Sequence, residues 1–296
     1  MRVVVTGSAG FIGRHLVRRL LAQDILVHEI DKAESYGAQV DITDTDALLK
    51  GVDLVAGADC LVHLAAIAAP RYAEAHPAET WATNVAGTHN VLRLAQKAGI
   101  PKVVFTSSAH VYGISPRVLP SREDDPLSLL DMYTTSKVMG EKLCELFYAN
   151  HGISYTTLRL FNGYGPGQSP DYFMGAKIRQ AIEGNVTLRG GAVTKDWVHV
   201  DDIVEAIVRA MKTAYVGPLN VGTGIETSLM SIAQRVAERF GRDITFEGPD
   251  GQGPTRMCAD WSRIHRTLGW GPSVPFTDGL DRTIDAYINR RAVQKA

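Results

Sequence analysis

Three side chains near the middle of the chain have the types and spacing of an acid–base site. Tyr133 and Lys137 stand four apart in Tyr133-Thr134-Thr135-Ser136-Lys137, a separation that puts two side chains on one face of a helix. A phenol ionises near pH ~10, too high for a base at neutral pH; a cation beside it stabilises the phenolate and brings that value down. Ser108 lies in Thr106-Ser107-Ser108-Ala109-His110-Val111-Tyr112-Gly113, at the end of the apolar run 102–106. If that run is a parallel strand, the serine stands at its C-terminal end, where open α/β sheets bind their ligands. A hydroxyl there can hold a substrate oxygen against the tyrosine, and the three groups together suit removal of a proton from an alcohol. Each alone has an ordinary reading: Tyr and Lys fall four apart by chance, and Ser/Thr turns commonly follow strands.

The N-terminus carries a second candidate site. Thr6-Gly7-Ser8-Ala9-Gly10-Phe11-Ile12-Gly13 joins a β-branched run, 2–6, to a stretch, 11–22, with apolar residues at helical spacing. A strand that enters a helix through a tight turn leaves free N–H groups and the positive end of the helix dipole facing outward. A pyrophosphate binds there when no side chain blocks the backbone, which is the use of Gly7, Gly10 and Gly13. Asp31 ends the next strand-like run, 25–30, where an acidic residue accepts hydrogen bonds from an adenosine ribose. Its carboxylate repels a 2′-phosphate, which favours NAD over NADP; Lys32 beside it pulls the other way. Asp41-Ile42, after a third strand, is read either as an adenine contact or, for Asp41, as the start of a helix.

These groups need a frame, and the alternation of elements supplies one. Short apolar strands at 2–6, 25–30, 60–64, 102–106 and 154–161 alternate with helical patterns at 11–22, 79–98 and 133–150, the order of an α/β protein with a doubly wound parallel sheet. The turn-forming stretch Gly163-Tyr164-Gly165-Pro166-Gly167-Gln168-Ser169-Pro170 marks a passage out of the sheet. Residues 197–200 read as a strand and 203–212 as a helix, both expected to return to it. The expected organisation is therefore a dinucleotide-binding domain over 1–165, rejoined by 195–222. A smaller mixed α/β substrate lobe over 166–194 and 223–296 is expected to be loop-rich, since it holds Pro249, Pro254, Pro272 and Pro275.

Composition narrows the class further. With 296 residues, 45% hydrophobic and 21% charged, the chain has the balance of a soluble globular protein that fills a core without disulfides. Its 31 basic and 32 acidic residues nearly cancel, which argues against a nucleic-acid partner, whose backbone demands a basic excess. Cys60, Cys144 and Cys258 form no close pair, so neither a structural metal knuckle nor a disulfide framework is expected. No apolar run approaches the ~18 residues of a membrane span, and Met1 leads straight into a strand. The expectation is a cytoplasmic protein with no membrane partner and no metal.

The motifs in order resemble the extended short-chain dehydrogenase/reductase family, in particular its nucleotide-sugar epimerase and dehydratase branch. The resemblance runs from the 7–13 turn through Asp41-Ile42, His63-Leu64-Ala65-Ala66, Asn84-Val85-Ala86-Gly87-Thr88, Ser108 and Tyr133/Lys137 to Arg159-Leu160-Phe161-Asn162-Gly163-Tyr164-Gly165-Pro166. It continues in Asp196-Trp197-Val198-His199-Val200-Asp201-Asp202, Asn220-Val221-Gly222-Thr223-Gly224 and Leu268-Gly269-Trp270. It implies that Tyr133 is the acid/base, that Lys137 tunes it and bonds the nicotinamide ribose, and that Ser108 orients the reacting hydroxyl. It further implies that Phe11, Ile12, Leu64, Ala65, Ala66, Asn84 and Phe161 line the NAD site and that Asn162 touches substrate. His63, His199 and Asp202 are read as structural, Asp202 as the cap of the next helix.

Within that family the residues after Ser108 separate the reactions. Dehydratases of this type carry an Asp-Glu pair there for eliminating water; here the positions hold Ala109 and His110, and alanine cannot protonate a leaving hydroxyl. The pattern is more similar to UDP-glucose 4-epimerases. A transient oxidation at C4, a turn of the sugar and return of the hydride is the first reading. A sugar dehydrogenase or keto-sugar reductase with the same three groups, using NAD or NADP, is the alternative, and an NAD-sensing binder without catalysis is a third. His110 either carries a proton or fills space. On the substrate side the resemblance implies an aromatic residue against the uracil near Arg189 and arginines on the diphosphate, one at the position of Lys195 and another in the segment that here reads Asp250-Gly251-Gln252-Gly253, where Asp250 would repel phosphate. Lys195, Arg189 and Arg256 are the candidate substrate contacts, and the nucleotide itself stays open. The family's habit of pairing the helices at 84–98 and 133–148 between subunits implies a homodimer.

Overall fold

The computed structural model describes residues 1–33, 37–113, 116, 118–248 and 256–295. Pro249, Pro254 and the Asp250-Gly251-Gln252-Gly253 segment lie outside the described residues. Seven strands form the main sheet: β1 (Arg2–Thr6), β2 (Leu26–Asp31), β3 (Ala38–Gln39), β4 (Cys60–His63), β5 (Lys102–Ser108), β6 (Ser154–Leu160) and, later in the chain, β10 (Gly217–Val221). Their order is β10-β6-β5-β4-β1-β2-β3, and every pairing is parallel. The direction of winding reverses between β1 and β4, the switch point at which such sheets open a crevice beyond their C-terminal ends. Val3, Val4 and Val5 are all fully buried, because helices cover both faces and leave no polar side to the strand.

One face is closed by the helices Phe11–Leu21 and Val200–Ala210, whose Leu16, Val17, Leu20, Ile203 and Ile207 share a core with Val3, Val5 and Val62. The other is closed by helices Thr88–Lys97 and Met132–His151, which bury Val91, Leu94, Cys144 and Phe147 against Val4, Val103 and Phe105. The long helix starts where it does because Asp131 accepts the N–H of Thr134 at 2.6 Å, and it stops at Gly152, whose φ of 70° no helix continues. That start fixes Tyr133 in the first turn.

The expected single helix over 79–98 is broken into Pro77–Trp81, a π-helical segment Ala82–Gly87 and Thr88–Lys97. The widened turn lies where Asn84 turns its amide to the chain beyond β4, accepting the N–H of Ile67 at 2.8 Å and donating to its carbonyl at 2.9 Å.

The remaining strands, β7 (Asn162–Tyr164), β8 (Val186–Leu188), β9 (Thr194–His199), β11 (Glu226–Ser228), β12 (Ile244–Phe246) and β13 (Arg256–Met257), build two small sheets. β9 is the centre of one, paired with β7, β11 and β13. This corrects the expected return of 197–200 to the parallel sheet. The helix that follows does pack on it and β10 does join its edge, but the strand belongs to the second lobe. That lobe is also less loop-rich than its prolines suggest: Met174, Ile178, Ile232, Val236, Leu280 and Ile284, from the helices Phe173–Glu183, Leu229–Phe240 and Phe276–Lys295, form a core of their own. Asp202 is not a helix cap. His199 caps the helix Val200–Ala210, and the Asp202 carboxylate reaches out to accept the N–H groups of Ser273 and Val274.

Candidate active site

The 7–13 turn is shaped by two close approaches. Gly7 has φ +74°, and a Cβ there would lie 2.6 Å from the backbone nitrogen of Ala65; a Cβ on Gly13 would lie 2.1 Å from the carbonyl oxygen of Gly7. Gly10 is exposed and begins the helix Phe11–Leu21 with no side chain capping its N–H groups. Asp31 locks the turn from behind: one carboxylate oxygen accepts from Ala9 N and the other from Ala33 N, both at 2.9 Å. The Ser8 hydroxyl is buried without a partner. Free helix-end donors, an open glycine and a carboxylate at the end of β2 fit a dinucleotide with its pyrophosphate on Gly10 and its ribose beside Asp31.

Phe11 and Ile12 stand in the first turn and Leu64, Ala65 and Ala66 directly after β4, all half-buried, and Lys32 is exposed. Asp41 does not start the helix that follows it. Its Oδ1 accepts from Thr43 N and Oγ1 at 2.9 and 2.8 Å in a local turn, and the following helix is capped by Asp44. Ile42 is a core residue. Besides Ile67, the Asn84 amide nitrogen donates to Ser136 Oγ at 2.9 Å. His63 is the structural histidine expected. Its nitrogens meet Thr6 Oγ1 at 2.7 Å and Thr88 Oγ1 at 3.0 Å, and burial brings its pKa down to about 3, so it is neutral.

Beyond the sheet's C-terminal end, β5 delivers Ser108 and the helix Met132–His151 delivers Tyr133 and Lys137, all three less than a tenth exposed. Ser108 Oγ accepts from His110 N at 3.2 Å, which starts a short 3₁₀ turn, Ala109–Tyr112. Burial pushes the Tyr133 phenol up to about 12, outweighing its hydrogen bond with Ser108, which acts to lower it. The Lys137 ammonium donates to Thr106 O at 3.0 Å, rides over the Phe105 ring at 5.3 Å, and is itself brought down to about 8 by burial, with Glu141 opposing. The protein's own groups therefore keep the phenol protonated.

The opposite wall comes from the second lobe. Phe161 is buried with Ala109, Tyr112 and Met257. Asn162 donates to Asp196 O at 3.2 Å. The arginines expected on a phosphate are taken up by carboxylates: Arg189 pairs with Glu247 at 3.3 Å, and Arg256 forms a two-pronged pair with Glu226, its Nε at 3.0 Å from Oε1. Lys195 on β9 has no such partner among the described residues.

Two groups that sequence reasoning passed over hold this wall and floor together. Asp196, fully buried, accepts from Thr223 N, Thr223 Oγ1, Gly224 N and Ala259 N at 2.7–3.0 Å. Arg159 makes a bidentate pair with Glu141 at 3.0 and 2.8 Å, both side chains buried, and also bonds Tyr112 and Glu123. An arginine inside a strand buried on both faces is the signal, since it must find a buried partner.

A dinucleotide turn at the switch point and a Ser-Tyr-Lys group across the crevice define an oxidoreductase-type site on a Rossmann fold. The comparisons place it more narrowly. Residues 3–222 match the NAD dependent epimerase/dehydratase family, and the chain belongs to that family. It is 33% identical to a UDP-glucose 4-epimerase of Mycolicibacterium smegmatis over 98% of this chain and 99% of that protein. It is also 31% identical to UDP-glucuronic acid decarboxylase 6 of Arabidopsis thaliana over 100% and 91%. Its fold superposes on the UDP-glucose 4-epimerase of Thermotoga maritima, solved with UDP-glucose, with a TM-score of 0.94 at 28% identity, covering 98% and 100% of the two chains.

Proposed function

We propose that this protein is an NAD-dependent nucleotide-sugar 4-epimerase. The reading rests on the convergence of Ser108, Tyr133 and Lys137 beside a dinucleotide turn, with no acid after Ser108. Ala109 has nothing to donate, and burial, with the charge of Lys195, brings His110 down to about 4, so its imidazole is neutral at pH 7. Eliminating water would need an acid at that place. Epimerisation needs only an oxidation and its reversal. Bound NAD supplies the acceptor and donor for the C4 hydrogen, together with a positive nicotinamide ring. Ser108 holds the reacting oxygen, Tyr133 takes its proton and gives it back, and Lys137 keeps charge beside the phenol and reaches the ribose. The 7–13 turn and Asp31 hold the pyrophosphate and the adenosine ribose; Phe11, Ile12 and 64–66 line the ring pocket.

The experiment is to incubate the protein and NAD with UDP-glucose or UDP-glucuronic acid and follow the sugar by proton NMR. Interconversion of C4 epimers with no build-up of reduced cofactor is expected. One reduced cofactor per turnover would make it a dehydrogenase, and loss of carbon dioxide a decarboxylase.

A homodimer fits the same reading: Met139, Leu146 and Tyr148 leave apolar surface exposed on the helix Met132–His151. Light scattering at micromolar concentration is expected to return twice the chain mass. Three unpaired, buried cysteines suit a reducing, cytoplasmic setting.

A further inference from the structure

Arg159, Glu141 and Tyr112 form a buried polar cluster that the proposed reaction leaves unused, each less than a tenth exposed. Arg159 lies on β6, paired in register with Ser107, the residue before Ser108. Its guanidinium reaches three separate segments. Nε and Nη2 grip the two oxygens of Glu141, on the helix Met132–His151, at 3.0 and 2.8 Å. Nη1 donates to the Tyr112 hydroxyl at 3.0 Å and to Glu123 O at 2.8 Å, and the group lies over the Tyr112 ring, 5.1 Å from its centroid. The Tyr112 hydroxyl in turn donates to Asn220 Oδ1 on β10 at 2.6 Å.

Two of these segments carry the reacting groups. Tyr133, Lys137 and Glu141 recur at intervals of four and so share a face of one helix. Tyr112 closes the 3₁₀ turn that opens at Ser108. A buried ion pair exchanged for apolar side chains of similar volume often loses no stability, so stability alone does not explain a fork whose remaining donors fasten a turn and a further segment. The grip on Glu141 answers a second need. Oppositely charged side chains four apart on a helix attract each other, yet the Lys137 ammonium donates to Thr106 O, with both Glu141 oxygens already held by Arg159.

We propose that Arg159 is a positioning residue of the reaction: through Glu141 it fixes the helix face bearing Tyr133 and Lys137, through Tyr112 it fixes the turn after Ser108, and one guanidinium thereby sets the hydroxyl against the phenol. The role rests on the reading of Ser108, Tyr133 and Lys137 as the reacting groups. Lysine keeps the charge of arginine but not its fork, so Arg159→Lys loosens the brace without removing the cation.

The test is a double-mutant cycle on turnover of UDP-glucose or UDP-glucuronic acid by the NAD-loaded protein. Arg159→Lys is expected to lower kcat about 10²-fold, the effect of a small misplacement at a reacting centre, with KM and NAD affinity changed by no more than about twofold. Made in Ser108→Ala, which already lacks one of the groups being positioned, the same change is expected to lower kcat only about threefold. Tyr112→Phe removes one hydroxyl and keeps the ring. It is expected to lower kcat about tenfold with the same dependence on Ser108, and it decides alone should Arg159→Lys not fold. Equal losses in both backgrounds, or losses confined to KM, NAD affinity or unfolding temperature, would overturn the positioning role. Full turnover by Ser108→Ala, or no turnover of either sugar by the unaltered protein, would instead overturn the reading of the site, and the role with it.

Discussion

Both the glycine turn and the arginines of the second lobe carry, in sequence, the marks of phosphate ligands, and only the turn keeps its donors free. At Gly10 the helix end is exposed and uncapped, with Asp31 fastening the turn from behind. At Arg189 and Arg256 the guanidinium groups already meet Glu247 and Glu226. The difference lies in what supplies the positive charge. Backbone N–H groups at a helix start have no intrahelical acceptor and stay available whatever the neighbouring side chains are. A side-chain cation is available only where no carboxylate competes, and the competing residue lies far away in sequence. The cofactor half of the crevice is thus formed by the backbone, while the sugar half is set by which long side chains pair.

The sharpest way to break this contrast is on the side that does the chemistry. Tyr133→Phe keeps the ring that packs on His110 and removes the proton carrier, so turnover is expected to fall about 10³-fold, roughly 4 kcal/mol of barrier; stopped or single-turnover kinetics read it, and a variant that retained turnover would remove the phenol from the mechanism. Next is Gly13→Ala, whose Cβ would meet the Gly7 carbonyl. About 3 kcal/mol of stability and most NAD affinity should go, checked by thermal unfolding and calorimetry. Normal NAD binding by this variant would mean that the turn is not the cofactor's seat.

A smaller effect is expected in acid. His110 titrates at about 4 in the folded chain against 6.5 when free. Between those values the unfolded chain binds the extra proton, so stability is full above about 6.5 and is lost as pH falls. Each pH unit inside the window costs about 1.4 kcal/mol for this group, and His110→Asn should show a slope shallower by that amount in urea unfolding. An unchanged slope would contradict the burial of a neutral imidazole. Smallest is Arg189→Ala: its pair with Glu247 is exposed, and a loss below ~1 kcal/mol is expected. A larger loss would show that the pair does more than screen the arginine.

What could be read from sequence follows the same division. The parallel sheet was legible because β-branched runs with both faces buried leave few alternatives, and Ser108, Tyr133 and Lys137 were legible because a strand end and a helical spacing of four place side chains locally. Partner choice was not. Nothing near Arg256 in sequence points to Glu226, and nothing in 197–200 says that the strand pairs with β7 rather than with the main sheet. Nor does the sequence near Asn84 point to Ile67 and Ser136, which its amide meets from the π-helical segment. For Tyr133, spacing puts Lys137 on the right face but does not report burial, which raises the phenol's pKa.

The most direct test uses a UDP-sugar carrying deuterium at C4, incubated with the protein and NAD. The label is expected to remain on C4 of both epimers, with no reduced cofactor released and with the exchange about 10³-fold slower in Tyr133→Phe. Washout of the label to solvent, or its accumulation in free cofactor, would contradict oxidation and return at a single carbon.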